Sequence, residues 1–223
     1  MLNHLTDQWT VQTELSIKYE IVQTPGLLDP ANPELCALPD GGRGDATRLV
    51  VLDDTIHDLY GHRIENYFEV NAVAVDYLTL PATEEAKSIE SVLQVVRKLD
   101  EIGTQRVSTP PIVIGGGVLA DVVGLAASLY RRGIPYIRVP TTLLGQVDVS
   151  ASAKTGINHR GYRNRLGTYS PPPRTLIDLG FLGTLPQRQL RNGIGEIFKM
   201  ALVRDLRLFE LLEEYGGALI ESR

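Results

Sequence analysis

Between Arg48 and Pro140 the chain alternates short β-rich runs with helical patterns, and this alternation limits the folds open to it. "RLVVLD" reads as a strand, "TIHDLYGHRIENYF" as a helix and "AVAVDYLTL" as a second strand. In "EEAKSIESVLQVVRKLDEIG" the residues Ile89, Val92, Leu93, Val96 and Leu99 fall on one helical stripe, and Gly103 follows as a C-terminal stop. "PPIVIGGG" is a buried strand running into glycines, "ADVVGLAASLYRRG" a helix and "PYIRVP" a further strand. Such an order implies an α/β layer built on a mostly parallel sheet. Ligands on these sheets sit at the carboxyl ends of the strands, so "VLDD", "GGG" and "PTTLL" share one candidate rim.

The flanks read differently. Trp9, Val11, Leu15, Ile17, Tyr19 and Ile21 put apolar groups on odd positions, which predicts a strand or hairpin and hence a β-rich N-terminal extension. "TPGLLDPANPELCALPDGGRGD" is rich in Pro and Gly and is expected to be loop, outside the core. After Pro140 a long polar stretch punctuated by Gly and Pro reads as a functional connection. From Gln187 the pattern turns helical, with Ile197, Met200, Ala201, Leu208, Leu211 and Leu212 apolar.

Composition narrows the function classes. Apolar residues make up 43% and charged residues 22% of the 223, which is ordinary for a folded globular chain, and the net charge of −5 argues against non-specific nucleic-acid binding. The single cysteine, Cys36, excludes an intrachain disulfide and cannot alone make a thiolate zinc site; it reads as a small residue in a loop. The start lacks a basic segment followed by an apolar one, and no run reaches the ~18 apolar residues of a membrane span. A cytoplasmic protein is expected.

Gly115 to Ala120 spells GxGxxA, the letters of a pyrophosphate-binding turn, which calls for an Asp or Glu ~20 residues further on. "IPYIRVP" stands there instead. Asp148, Lys154, Arg163, Asn164 and Arg165 crowd the polar stretch, Asp121 sits near a helix start, and Glu196 and Lys199 lie three apart on one helix face. Singly, each has a plain reading: Asp121 serves a helix dipole, Glu196 and Lys199 form a solvated pair, and Arg131 with Arg132 close a helix. His159 has no second histidine at ligand spacing. As a set, they ask for more.

"GGGVLADVVGLAASLYRRG", "RVPTTLLGQVDVSASAKTGIN", "RNRLGTYSPPPRTLIDLGFLGTLP" and "RNGIGEIFKMAL" together resemble the sugar phosphate cyclases, the dehydroquinate synthase superfamily. "SAKTGIN" and "RNRLGTYSPPP" look more like the branch that makes 2-epi-5-epi-valiolone from sedoheptulose 7-phosphate than like dehydroquinate synthase. The resemblance implies a Rossmann-like NAD-binding domain followed by an α-helical domain, and a homodimer. It places the nucleotide against Asp54, Glu84 and Lys87, with Gly115, Gly116, Gly117 and Asp121 along the pyrophosphate and nicotinamide ribose. Thr141, Thr142, Leu144, Thr184 and Leu185 line the remainder, and Lys154 borders both cofactor and substrate. Glu196 matches a ligand of a divalent metal (Zn or Co), and Asp148 the carboxylate beside the reacting hydroxyl. Lys154, Asn164 and Lys199 match substrate and phosphate contacts. Arg132 matches an arginine that reaches phosphate across a dimer interface, and Arg163 replaces a lysine.

The implied chemistry is a carbon-oxygen lyase reaction. NAD⁺ takes hydride from a heptulose phosphate, phosphate is eliminated, hydride returns, the ring opens and an aldol step closes the carbocycle. The family's metal site also needs two histidines downstream of Glu196, and the last histidine here is His159. The expectation is therefore an NAD-binding domain over 1–178 and an incomplete helical metal and substrate domain over 179–223, apparently truncated, with an exposed apolar patch on the last helices. Two alternatives stay open. One is 3-dehydroquinate synthase or another sugar phosphate cyclase; the other is a non-catalytic NAD-binding or oligomerisation module.

Overall fold

A computed structural model describes residues 8–14, 16–38 and 46–221, with the side chains of 218–221 left out. Six strands form one wholly parallel sheet: β1 (Glu20–Gln23), β2 (Arg48–Asp53), β3 (Val75–Leu80), β4 (Ile112–Gly115), β5 (Ile137–Pro140) and β8 (Arg174–Ile177). Their order is β1-β8-β5-β4-β2-β3. The chain steps outward from β2 to β3, then crosses back to lay β4 on the other side of β2. The switch point of the topology thus lies between β2 and β4.

Alternate residues of each central strand face opposite layers, as the period of two requires. Val50 and Leu52 of β2 join Ile112 and Ile114 of β4 under α1 (Asp54–Val70), which contributes Ile56, Tyr60, Ile64, Tyr67 and Phe68. Leu49, Val51 and Val113 face the other layer, made by α2 (Ile89–Glu101) and α3 (Gly117–Leu129). Every one of Leu119, Ala120, Val122, Val123, Leu125, Ala126 and Ala127 on α3 is buried. A two-stranded antiparallel ribbon, β6 (Lys154–His159) and β7 (Tyr162–Tyr169), lies along α3. It comes so close that a Cβ on Gly124 would sit 2.8 Å from Thr155 Cγ2.

Three expectations need correction. Of the predicted N-terminal strand or hairpin only Ile21 is in a strand; Trp9 and Val11 are 81% and 89% exposed, and Leu15 lies outside the described residues. A period of two makes a strand only where a neighbour offers a ladder, and here β8 pairs Glu20–Gln23 alone. The Pro- and Gly-rich segment is loop as expected, yet Leu27, Leu28, Leu35, Cys36 and Leu38 enter the core. Arg48, 1% exposed, fastens it by donating to the carbonyls of Leu35 (3.1 Å), Cys36 (3.2 Å) and Pro110 (3.4 Å), while Leu27 N–H donates to Asp178 (2.9 Å). The third is the polar stretch after Pro140. It is largely regular, holding α4 (Leu143–Val147), the ribbon, β8 and a 3-10 turn over Leu179–Thr184.

On α2 the buried stripe is Val92, Val95 and Leu99, while Ile89 and Leu93 face outward. The last two helices are α5 (Gln187–Arg204) and α6 (Leu206–Glu221). On α5 only Gly193 and Ala201 are buried; Phe198, Leu202 and Val203 on α5 and Leu206 and Leu211 on α6 are exposed, in line with the apolar surface expected of the last helices. No described helix is long and apolar enough to cross a membrane.

Candidate cofactor and substrate site

Because all six strands run the same way, their carboxyl ends meet on one rim, at Asp53, Leu80, Gly115 and Pro140. The centre of that rim is the switch point, where β4 turns through Gly115, Gly116 and Gly117 into α3. The turn is tight against its neighbours. A Cβ on Gly115 would stand 2.7 Å from Leu119 Cδ2 and 3.1 Å from Asp53 Oδ2, and one on Gly116 would stand 3.3 Å from Thr142 Cγ2. Gly115 also accepts from Thr141 N–H (3.1 Å), which ties the ends of β4 and β5 together.

Helix starts along this rim differ in one respect. Asp53 caps α1 by accepting from Ile56 N–H (2.8 Å), Ser88 caps α2 through Ser91 N–H (3.3 Å), and Thr142 caps α4 through Gly145 N–H (3.0 Å). Such caps stabilise a helix by about 1 kcal/mol. α3 begins at Gly116 without a side-chain cap, so its first N–H groups and its positive dipole end face the crevice unassisted. Glycines plus an uncapped helix start suit an anionic phosphate. Asp53, 5% exposed, has its carboxyl pushed above the ordinary range by burial, against the lowering pull of N–H groups at Ile56, Thr55 and Gly116. Asp54, the expected ribose acid, begins α1 one residue later and is exposed. The buried carboxylate beside the glycine turn is Asp53.

Flanking the turn, residues far apart in the chain converge. Lys87 is 8% exposed and places its ammonium 2.5 Å from Asp121 Oδ2 and 2.6 Å from Asn164 Oδ1. Asp121 is raised by burial, and Lys87 and then Arg138 oppose that shift. Glu84 accepts from Asn158 Nδ2 (2.8 Å), with exposed Arg163 at 3.7 Å. Of these groups Glu84, Lys87, Asn158 and Arg163 border a groove of about 500 Å³ that runs from Glu84 to the ribbon turn.

A third group forms where α5 crosses α4. Gly193 lies so close to Leu143 that any side chain there would collide with it. The approach lets Lys199, which donates to Glu196 Oε1, also feel Asp148; its ammonium is held above the ordinary range chiefly by Glu196. Asp148, Glu196 and Lys199 are thereby neighbours. Lys154 is exposed at the start of β6. Arg138, unmarked in the sequence, is 1% exposed on β5 and donates to the carbonyls of Val149 and Ser152 (3.0 Å to the latter), holding the turn between Asp148 and Lys154. Its only sequence signal is a charge inside an apolar strand.

Other predicted residues lie apart. Thr184, followed by Leu185, shares a hydrogen bond with Tyr60 (2.7 Å) on the α1 side, and Leu144 is partly exposed on α4. Arg132 stands beyond the far end of α3, about 20 Å of helix from the glycine turn, where Arg131, Arg132 and Gly133 take three successive positive φ angles (49°, 66° and 107°).

Residues 77–192, over half of the chain, match the 3-dehydroquinate synthase N-terminal family. The chain belongs to that family. A 2-epi-5-epi-valiolone synthase from Streptomyces hygroscopicus subsp. jinggangensis is 49% identical over 215 residues, 96% of this chain and 52% of that protein. A solved structure of such a synthase from the same organism, with NAD⁺ and Zn²⁺ bound, superposes with a TM-score of 0.89 at 48% identity, over 96% of this chain and 57% of that one. A 2-deoxy-scyllo-inosose synthase complexed with carbaglucose-6-phosphate, NAD⁺ and Co²⁺ superposes at 0.72 and 27% identity, over 83% and 49%. The chain spans about half the length of the curated relatives it matches.

Within this dehydroquinate synthase family domain the residues present fit a dinucleotide and do not fit a metal. The glycine turn supplies the cradle and the unassisted helix start the donors. No group of three or more His, Cys, Asp or Glu among the described residues could hold a metal ion, whereas catalytic zinc takes three protein ligands. Glu196 is engaged with Lys199 instead.

Proposed function

We propose that the chain is the nucleotide-binding half of a sugar phosphate cyclase that works with NAD. Within the whole enzyme it converts sedoheptulose 7-phosphate to 2-epi-5-epi-valiolone and phosphate, as a carbon-oxygen lyase. The observation that carries this reading is the uncapped start of α3 behind a tight glycine turn, at the switch point of a parallel sheet. The N–H groups there take the pyrophosphate, and the buried Asp53 keeps the turn in place. Glu84 and Lys87 receive a ribose, with Asp121 toward the nicotinamide end. When bound, NAD⁺ would supply a hydride acceptor: a substrate alcohol oxidised to a ketone has an adjacent C–H acidic enough for phosphate to leave, after which the hydride would be returned.

On the substrate side, Asp148 stands beside the reacting hydroxyl, and Lys154, Asn164 and Lys199 neutralise and orient the departing phosphate. Arg163 adds charge at the groove mouth. Arg132, held away from its own site, serves the site of a second copy in a homodimer, and residues 179–223 begin the helical domain. A second reading concerns this chain by itself: Glu196 without two further ligands among the described residues favours nucleotide binding without turnover. The test is a titration with NAD⁺ followed by an assay of phosphate release from sedoheptulose 7-phosphate. NAD⁺ binding with no steady phosphate release is the expected pair. Stoichiometric zinc with sustained release from this chain contradicts the second reading, and absence of NAD⁺ binding contradicts the first.

A further inference from the structure

Asn158 lies on β6 where the ribbon loses register. Ile157 pairs Leu166 and His159 pairs Tyr162, so three residues of β7 face Asn158 alone. Bulges of this kind re-aim side chains. The middle one of the three is Asn164, in the left-handed region with φ 52°. Its N–H, which has lost its strand partner, donates to Asn158 Oδ1 (2.9 Å). The other end of the same amide faces the opposite way: Nδ2 donates to Glu84 Oε1 (2.8 Å) and to the Glu84 carbonyl (3.2 Å). Asn158 N–H donates to the Lys87 carbonyl (2.8 Å), and Lys87 Nζ closes the ring at Asn164 Oδ1 (2.6 Å).

We infer that Asn158 is a positioning residue that joins the ribose-binding segment, Glu84 to Lys87, to the substrate residue Asn164. The inference rests on the function proposed above for those three residues. Its amide has one workable orientation. Turned over, it would aim oxygen at the Glu84 carboxylate and carbonyl and NH₂ at the Asn164 N–H, losing all three bonds. A ligand that draws Glu84 or Lys87 toward itself therefore pulls on the bulge that aims Asn164. Cofactor occupancy and substrate geometry are coupled through one side chain.

Two readouts on the full chain test this. In the NAD-free protein, amide exchange at Asn164 is slow; Asn158→Ala speeds it at least tenfold, and Glu84→Ala shifts the Asn164 amide resonance only while Asn158 is present. In NAD⁺ titrations, Asn158→Asp keeps the acceptor for Asn164 but sets a carboxylate against Glu84. Its Kd rises at least tenfold, because two facing carboxylates repel. Asn158→Ala, which loses the bonds without adding a charge, is weakened less. A lost fold is not the cause if each variant unfolds cooperatively within a few degrees of the parent. If the parent chain does not bind NAD⁺, the proposed function fails and the exchange readout alone judges Asn158. Unchanged Asn164 exchange in Asn158→Ala, or wild-type NAD⁺ affinity of Asn158→Asp, overturns the inference.

Discussion

α3 and α5 differ sharply for two helices of one small protein. α3 buries seven apolar residues between the sheet and the ribbon, whereas α5 buries Gly193 and Ala201 and leaves Leu202 and Val203 61% and 77% exposed. The first is held on several sides and presents an uncapped start to a crevice. The second touches the sheet layer mainly through α4 and turns an apolar face outward. Stability and cofactor binding should therefore reside in the sheet layer, while α5 and α6 carry surface that contributes little to folding in this chain. Burial of apolar area is the main stabilising quantity, and it is distributed very unevenly here.

Paired truncations test that contrast with the largest expected effect. Leu99→Ala removes a fully buried side chain and is expected to cost about 2–5 kcal/mol, read as a fall in the denaturation midpoint at constant m value. Leu206→Ala, at a residue 72% exposed, is expected to stay within about 0.5 kcal/mol. Equal costs would break the comparison. Next in size is the cradle. Gly116→Val places a branched side chain against Thr142 at the mouth of the turn and is expected to weaken NAD⁺ binding by more than tenfold, measured calorimetrically, with a smaller loss of stability. The apolar face comes third. Replacing Leu202 and Leu206 by Glu should lower self-association in light scattering without moving the melting temperature by more than a few degrees.

The smallest effect is a pH dependence. Burial raises Asp53, so the native state keeps its proton to higher pH than the unfolded chain does. The associated stability is full below the ordinary carboxylate value and declines as pH rises through the raised one. Asp53→Asn can still accept from Ile56 N–H and should flatten that part of the stability profile. An unchanged slope would show that another carboxyl, such as the likewise raised Asp121, dominates it.

The alternation from Arg48 to Pro140 was legible because each run carries its own period. β2, α1, β3, α2, β4, α3 and β5 all stand where "RLVVLD" through "PYIRVP" place them, with ends moved by a few residues. Regions whose structure depends on distant partners were not. Nothing near Leu27 or Leu35 announces burial, since Asp178 and Arg48 create it from afar. Trp9 and Val11 alternate correctly but meet no neighbouring strand. At the site, the residue types were readable from the motifs, while their grouping was not. Lys87 meets Asn164 across 77 positions, and Asn158 and Arg138 act through bonds that no local pattern encodes.

The central claim is that the β2–β4 crevice of this chain holds NAD. Isothermal titration of NAD⁺ into the chain tests it most directly, with Gly116→Val as the comparison. The account predicts saturable binding of one equivalent that the substitution weakens by more than tenfold while the fold persists. No saturable heat from the folded parent, or equal affinity in the variant, would contradict it.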